Sequence, residues 1–99
     1  MYIATTPRFT FTLGIDTTDI TTLFLTFRQD GKNILTLTED DVTMTGNTVE
    51  VTLTQAQTLL FHVGKSFAQF RVQLADDTIE VSNPMQIPID DTFFVEIIE

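Results

Sequence analysis

Between residues 8 and 15 the chain alternates. Phe9, Phe11, Leu13 and Ile15 share one parity, and Arg8, Thr10, Thr12 and Gly14 share the other. This is the period of two of a half-buried strand. Residues 22–29, TLFLTFRQ, put Leu23, Leu25 and Phe27 on one face, but Phe24 adds an apolar group to the opposite face. That pattern predicts a strand covered on both sides or set beside an aromatic neighbour. The Asp30-Gly31 pair then supplies positive φ at low steric cost and predicts a tight hairpin into residues 32–38. Glu39, Asp40 and Asp41 read as a loop, Val42 and Met44 as a brief continuation, and the TGN at 45–47 as a turn. Beyond it Val49, Val51 and Leu53 alternate with Thr48, Glu50 and Thr52.

The alternation stops at Thr54. Thr54 and Gln57 have the spacing of a capping box, so one short helical turn is expected near residues 55–62. Leu59, Leu60 and Val63 are expected to share its buried face, with Gly64 ending it in a left-handed conformation. The turn would plug the end between two sheets. The clearest amphipathic strand follows, with Ala68, Phe70, Val72 and Leu74 alternating with Gln69, Arg71 and Gln73, so Phe70 and Val72 point inward. Asp76-Asp77 turns the chain, and Ile79 and Val81 alternate with Thr78 and Glu80. Pro84 and Pro88, which lack ladder donors, place residues 85–89 at a sheet edge or strand switch. About seven short strands with closely spaced turn signals predict an all-β fold, a single antiparallel sandwich across residues 1–99.

Composition narrows this picture. The chain is 42% hydrophobic with nine Phe, enough for one core and against disorder, despite a net charge of −9. Absent cysteine, neither disulfides nor a thiolate metal site is available. Only Arg8, Arg28, Lys32, Lys65 and Arg71 oppose 14 carboxylates, a balance that argues against nucleic acid and anionic membrane as partners. The first residues carry neither a basic region nor a continuous apolar stretch, so synthesis in the cytoplasm without a signal peptide is expected, compatible with later incorporation into a virion. Threonine, about a fifth of the chain, mostly occupies the polar parity and reads as a solvated sheet face. It lacks the regular repeat that an ice-binding array requires.

The candidate chemistry is thin. His62 is the only histidine, and without a placed nucleophile or carboxylate it reads as structural or surface-lying. The pairs Asp40/Asp41, Asp76/Asp77 and Asp90/Asp91 lack the alternating-oxygen pattern of a calcium loop and read as turn solubilisers. No nucleophile elbow, phosphate loop or dinucleotide fingerprint occurs. The expectation is therefore a non-enzyme with no catalytic, cofactor-binding or metal residues. A sugar platform is disfavoured, because Trp is absent and Tyr2 is the sole Tyr.

The arrangement TVEVTLTQAQTLLF, HVGKSFAQFRVQL and DDTIEVSNPMQIPI, with TPRFTFTL and RQDGKNIL ahead of it, resembles short tail-region proteins of phages and prophages of Gram-positive bacteria. It is more distantly similar to the amino-terminal Ig-like domain of phage baseplate upper proteins. The shared features are an alternating strand, the Leu53-Thr54 step, a helical turn closed by Gly64, the strand at 68–74, an acidic turn at Asp76-Asp77, and Ser82-Asn83 before the last strand. The resemblance implies an Ig-like sandwich that serves as a virion-associated or assembly module, and it brings no catalytic residues with it. A small adhesion or glycan-binding sandwich is the alternative, and a regulatory subunit or inhibitor the third.

One segment remains. Residues 92–99 form an apolar carboxyl-terminal stretch in which Phe93, Phe94, Val95, Ile97 and Ile98 crowd together. As a helix, Phe93, Phe94, Ile97 and Ile98 would share a face; as a strand, both parities would need cover. One sandwich of this size has little inner surface left, so these five residues are the candidate protein interface. The expected partners are a second copy or phage tail components.

Overall fold

The computed structural model describes residues 1–99. Two antiparallel hairpins set the frame. In the first, β2 (Ile20–Gln29) and β3 (Lys32–Thr38) are joined through Asp30 and Gly31 at φ 53° and 75°, the paired positive values of a type I′ turn. In the second, β4 (Thr43–Thr45) returns into β5 (Thr48–Thr52). β1 (Arg8–Thr12) pairs with β5, giving a three-stranded sheet in the order β1-β5-β4.

The second sheet grows on β2. β6 (Gly64–Leu74) runs antiparallel to it from Ile20↔Leu74 to Arg28↔Phe67. On the far side of β6 lie β7 (Ile79–Val81) and β8 (Met85–Ile89) in line, broken between them at residues 82–84. There Ser82 substitutes for strand pairing: its backbone N–H donates to the Phe70 carbonyl, and its hydroxyl oxygen accepts the Phe70 N–H, both at 2.9 Å. The count is eight strands against the roughly seven expected, and β8 lies at the sheet edge where its prolines placed it.

With β1 taken as strand B, the sheets read B-E-D and C′-C-F-G, the Ig-like order without its first strand. Residues 1–3 instead run beside the end of β8. Tyr2 forms a parallel bridge to Asp90, the Asp90 N–H donates to the Met1 carbonyl, and the Ile3 N–H donates to the Asp90 carbonyl. The amino-terminal segment is thus hydrogen-bonded to the sheet it adjoins.

The core lies where the inward parities meet. Leu23, Leu25 and Phe27 of β2 sit opposite Val72, Phe70 and Ala68 of β6, and all six are buried. Phe9 and Phe11 of β1 close on them from the other sheet: Phe11 meets Phe70 edge-on at 5.1 Å, and Phe9 lies 6.5 Å from Phe27. Val49, Val51 and Leu53 complete the floor. The inward phase assigned to Phe70 and Val72 holds.

The strand-to-helix step after β5 also follows its sequence signal, up to a point. In α1 (Gln55–Thr58) the Thr54 hydroxyl accepts the Gln57 N–H at 3.1 Å, and Gln57 Oε1 accepts the Thr54 N–H at 2.9 Å. The buried face differs from the expected one. Leu60 and Val63 are exposed and Leu59 half-buried, whereas Thr58 and Phe61 are buried. The reason is that the helix lasts one turn. Gln29, buried at the end of β2, donates from Nε2 to the His62 carbonyl at 2.6 Å and accepts the His62 N–H on Oε1 at 3.0 Å. This clamp pulls the chain out of helical geometry and turns Phe61 inward, edge-on to Phe27 at 5.7 Å. Gly64, at φ 139°, begins β6 instead of ending the helix.

Two other expectations are corrected. Residues 39–41 form a 3-10 turn, with Asp41 accepting the Thr38 N–H at 2.8 Å. Phe24 is covered on neither of the expected terms: it lies exposed on the outer face of its sheet, between Thr38 and Arg71.

Candidate functional site

The carboxyl-terminal segment is the first candidate. Up to Thr92 the chain is tied in, the Thr92 hydroxyl donating to the Ile3 carbonyl at 2.7 Å. Residues 93–99 then form neither helix nor strand, which corrects both forms considered for them. Seven residues fall well short of the roughly 12–15 that an isolated helix needs. A strand here would need an open edge, and residues 1–3 already occupy the backbone beside Asp90. The only hydrogen bonds holding these residues come from Gln55 of α1, whose side chain binds both the N–H and the carbonyl of Ile98 at 2.9 Å. Phe93, Phe94 and Ile98 are exposed almost completely, and Val95 and Ile97 are less so. Asp90, Asp91, Glu96 and Glu99 make the segment acidic throughout, with no cation among residues 90–99.

The second candidate is the outer face of the β3-β2-β6-β7/β8 sheet, which the sequence did not single out. Alternation along β6 sends Lys65, Phe67, Gln69, Arg71 and Gln73 outward. From β2 come Phe24, Thr26 and Arg28, and the register sets Val81 beside Arg71 and Ile79 beside Gln73. Phe24, Phe67, Ile79 and Val81 are all exposed large apolar side chains. Two clefts mark the face. One of about 300 Å³ is lined by Thr26, Arg28, Phe67, Gln69 and Pro84. The other, of about 140 Å³, is lined by Thr22, Phe24, Arg71, Val72, Gln73 and Ile79.

The charge on this face is as unusual as its apolar content. Arg28, Lys65 and Arg71 are three of the five cations in the chain, and none forms an ion pair. No Asp or Glu occupies an outward strand position; the Asp77 carboxylate in the β6–β7 turn lies 3.4 Å from Gln73 Nε2. The signal was present in the alternation itself. Phe24 on the polar parity of β2, and Ile79 and Val81 in a strand with no buried residue, break the rule that the exposed face is polar.

His62 has a partner that sequence reasoning could not place. Its Nε2 lies 2.6 Å from Asp30 Oδ2, with both side chains well exposed. The pair forms because the Gln29 clamp brings the α1–β6 connection against the β2–β3 turn. It can orient an imidazole at the surface, and Asp30 is the sole hydrogen-bonding partner of that side chain.

Carboxylates in the turns are engaged in local structure. Asp16 accepts the Thr18 N–H at 3.0 Å and Asp76 the Thr78 N–H at 3.0 Å. Hydrogen bonds from the Thr18 backbone, then its side chain, hold the Asp16 carboxyl below its ordinary range. For Asp76 the Thr78 side chain leads and its backbone follows, with the same direction. No helix is long and apolar enough to cross a membrane.

No protein-family model matches this chain, and no curated protein or solved structure matches it.

Proposed function

We propose that this chain is a non-catalytic structural module that works by protein–protein contact, and that its setting is the tail or baseplate of a phage or prophage. The observation that carries the contact role is the carboxyl-terminal segment. A sandwich whose core is assembled without them leaves Phe93, Phe94 and Ile98 in water, and apolar groups so exposed gain burial by meeting another surface. Phe93, Phe94, Val95, Ile97 and Ile98 form that contact. The viral setting rests on the resemblance of strand, turn and helical-step motifs described above.

The test is incorporation. Phage particles released by the strain that encodes the chain are purified and their proteins identified by mass spectrometry, for wild type and for the full-length Phe93→Ser/Phe94→Ser variant. The expected result is wild-type chain in the particles and the folded variant left in the supernatant. Absence of the wild-type chain from particles, with particle yield unchanged when its gene is deleted, would exclude the viral setting. Equal incorporation of the folded variant would remove the segment from the contact.

A further inference from the structure

The segment and the sheet face complement each other, and neither complements itself. Two such faces packed together would set the cations Arg28, Lys65 and Arg71 of one against the cationic face of the other with no outward carboxylate to offset them. Two segments meeting would bring Asp91, Glu96 and Glu99 against their like. Like charges set opposite each other are destabilising. Segment against face matches on both counts: Glu96 and Glu99, with Asp91 just ahead of them, meet three unpaired cations, and the phenylalanines and isoleucines meet Phe24, Ile79 and Val81.

We propose, resting on the contact role given to this segment above, that residues 93–99 of one copy dock on the outer face of the five-stranded sheet of the next copy. The dimensions allow it. Residues 93–99 extended span roughly 23 Å, and the cationic row from Lys65 to Arg71 along β6 runs about 20 Å at the strand rise. Within its own molecule the segment is committed elsewhere, returning to α1 through the two Gln55–Ile98 hydrogen bonds. Both bonds are exposed, so the molecule gives up little in releasing it. A contact of this kind is heterologous: each copy offers one segment and one face, so the assembly extends as a filament or closes as a ring and has no reason to stop at two. The attraction is ionic at a solvated surface and weakens as salt rises.

Sedimentation velocity on full-length chains tests it. For the intact protein the weight-average mass should climb with concentration past that of a dimer, and high salt should weaken the association by about tenfold or more. Arg71→Glu on the face and Phe93→Ser/Phe94→Ser on the segment should each stay monomeric alone, with circular dichroism confirming the fold. Mixed in equal amounts they should form a 1:1 pair and nothing larger, because one variant retains a working segment and the other a working face. A dimer that survives in both variants would overturn the proposal, as would an intact protein monomeric at every concentration. If the intact protein is monomeric, yet the segment variant alone is lost from particles while Arg71→Glu is retained, the occupant is a foreign protein; the contact role then stands and this proposal falls. If the segment variant loses its fold, the segment belongs to its own core and both readings fall.

Discussion

Replacing Phe70 by Ala tests the sandwich at the point where its closure is incomplete. Phe70 is 2% exposed, faces Leu25 across the β2–β6 ladder, and meets the Phe11 ring edge-on at 5.1 Å. Truncating a buried Phe costs about 3–5 kcal/mol through lost transfer energy and the cavity left behind. Position within that range depends on whether the hole is sealed. Phe70 borders a cleft of about 190 Å³ between the sheets, lined also by Leu13, Ile15, Val72 and Val81. The space vacated by the ring therefore opens to the surface, where water and neighbouring side chains relieve part of the cavity cost. Phe27 is the contrast: fully buried, with Phe9 at 6.5 Å and Phe61 at 5.7 Å, it would leave a closed void. The expected costs are about 3 kcal/mol for Phe70→Ala and about 4–5 kcal/mol for Phe27→Ala, against under about 1 kcal/mol for the exposed Thr52→Ala. With a urea slope of about 1.5 kcal/mol/M, Phe70→Ala should lower the midpoint by about 2 M. Equal midpoints for Phe70→Ala and Thr52→Ala would refute the inward phase of β6. A Phe70→Ala loss that equals or exceeds that of Phe27→Ala would refute the argument from the open cleft.

Gln29→Ala should cost about 2 kcal/mol, because it strips the N–H and carbonyl of His62 of their partners in a partly buried site; hydrogen exchange at the His62 amide should accelerate selectively, and an unchanged rate would show that the clamp is dispensable. The acid limb of the stability curve should respond to Asp16 and Asp76. Both carboxyls are held below their ordinary value of 3.8 in the folded chain, so their contribution is present above that value and is lost as pH falls through the lower folded value. The double variant Asp16→Asn/Asp76→Asn should be less sensitive to acid below about pH 4 in thermal melts, and an acid limb identical to wild type would assign the transition to other groups.

What could be read from the chain and what could not divide along the range of the interaction. The Asp30-Gly31 turn, the Thr54/Gln57 box and the alternation of β1, β5 and β6 are each decided within a few residues, and each appears where the pattern set it. The length of α1 was illegible because Gln29, on a strand far earlier in the chain, ends the helix by capturing His62. The expected Leu59, Leu60 and Val63 face presumed a helix that continued. Phe24 misled for a related reason: period two reports that a strand has two faces and cannot report which one is covered. The Asp30 partner of His62 was hidden by the same clamp. In the carboxyl-terminal segment, composition alone marked Phe93 to Ile98 as unusual. Its irregular backbone depended on the absence of any open edge beside Asp90, and that is a property of the assembled sheets.

A sandwich can be joined to another protein along a strand edge, on a sheet face or through a chain end, and the edges here are poorly suited to it. β4 and β7 are three residues each, too short to template a ladder. β8 carries Pro88, with Pro84 just before it, and neither has a donor to offer. β3 begins with Lys32, and its ladder to β2 is broken by a register shift at Phe27/Arg28. β1 is five residues long and follows directly on Pro7. Short strands, prolines, bulges and lysines are the devices by which sheets avoid pairing with strangers. With every edge blunted in one of these ways, most of the large apolar groups left in water lie on two surfaces, the outer face bearing Phe24, Phe67, Ile79 and Val81 and the segment bearing Phe93, Phe94 and Ile98. In the proposed contact, specificity at those surfaces comes from charge. The outward strand positions of the face lack carboxylates and the segment lacks cations, so under that proposal each would select a partner of the opposite kind while the net charge of −9 keeps the remaining surfaces of neighbouring molecules apart.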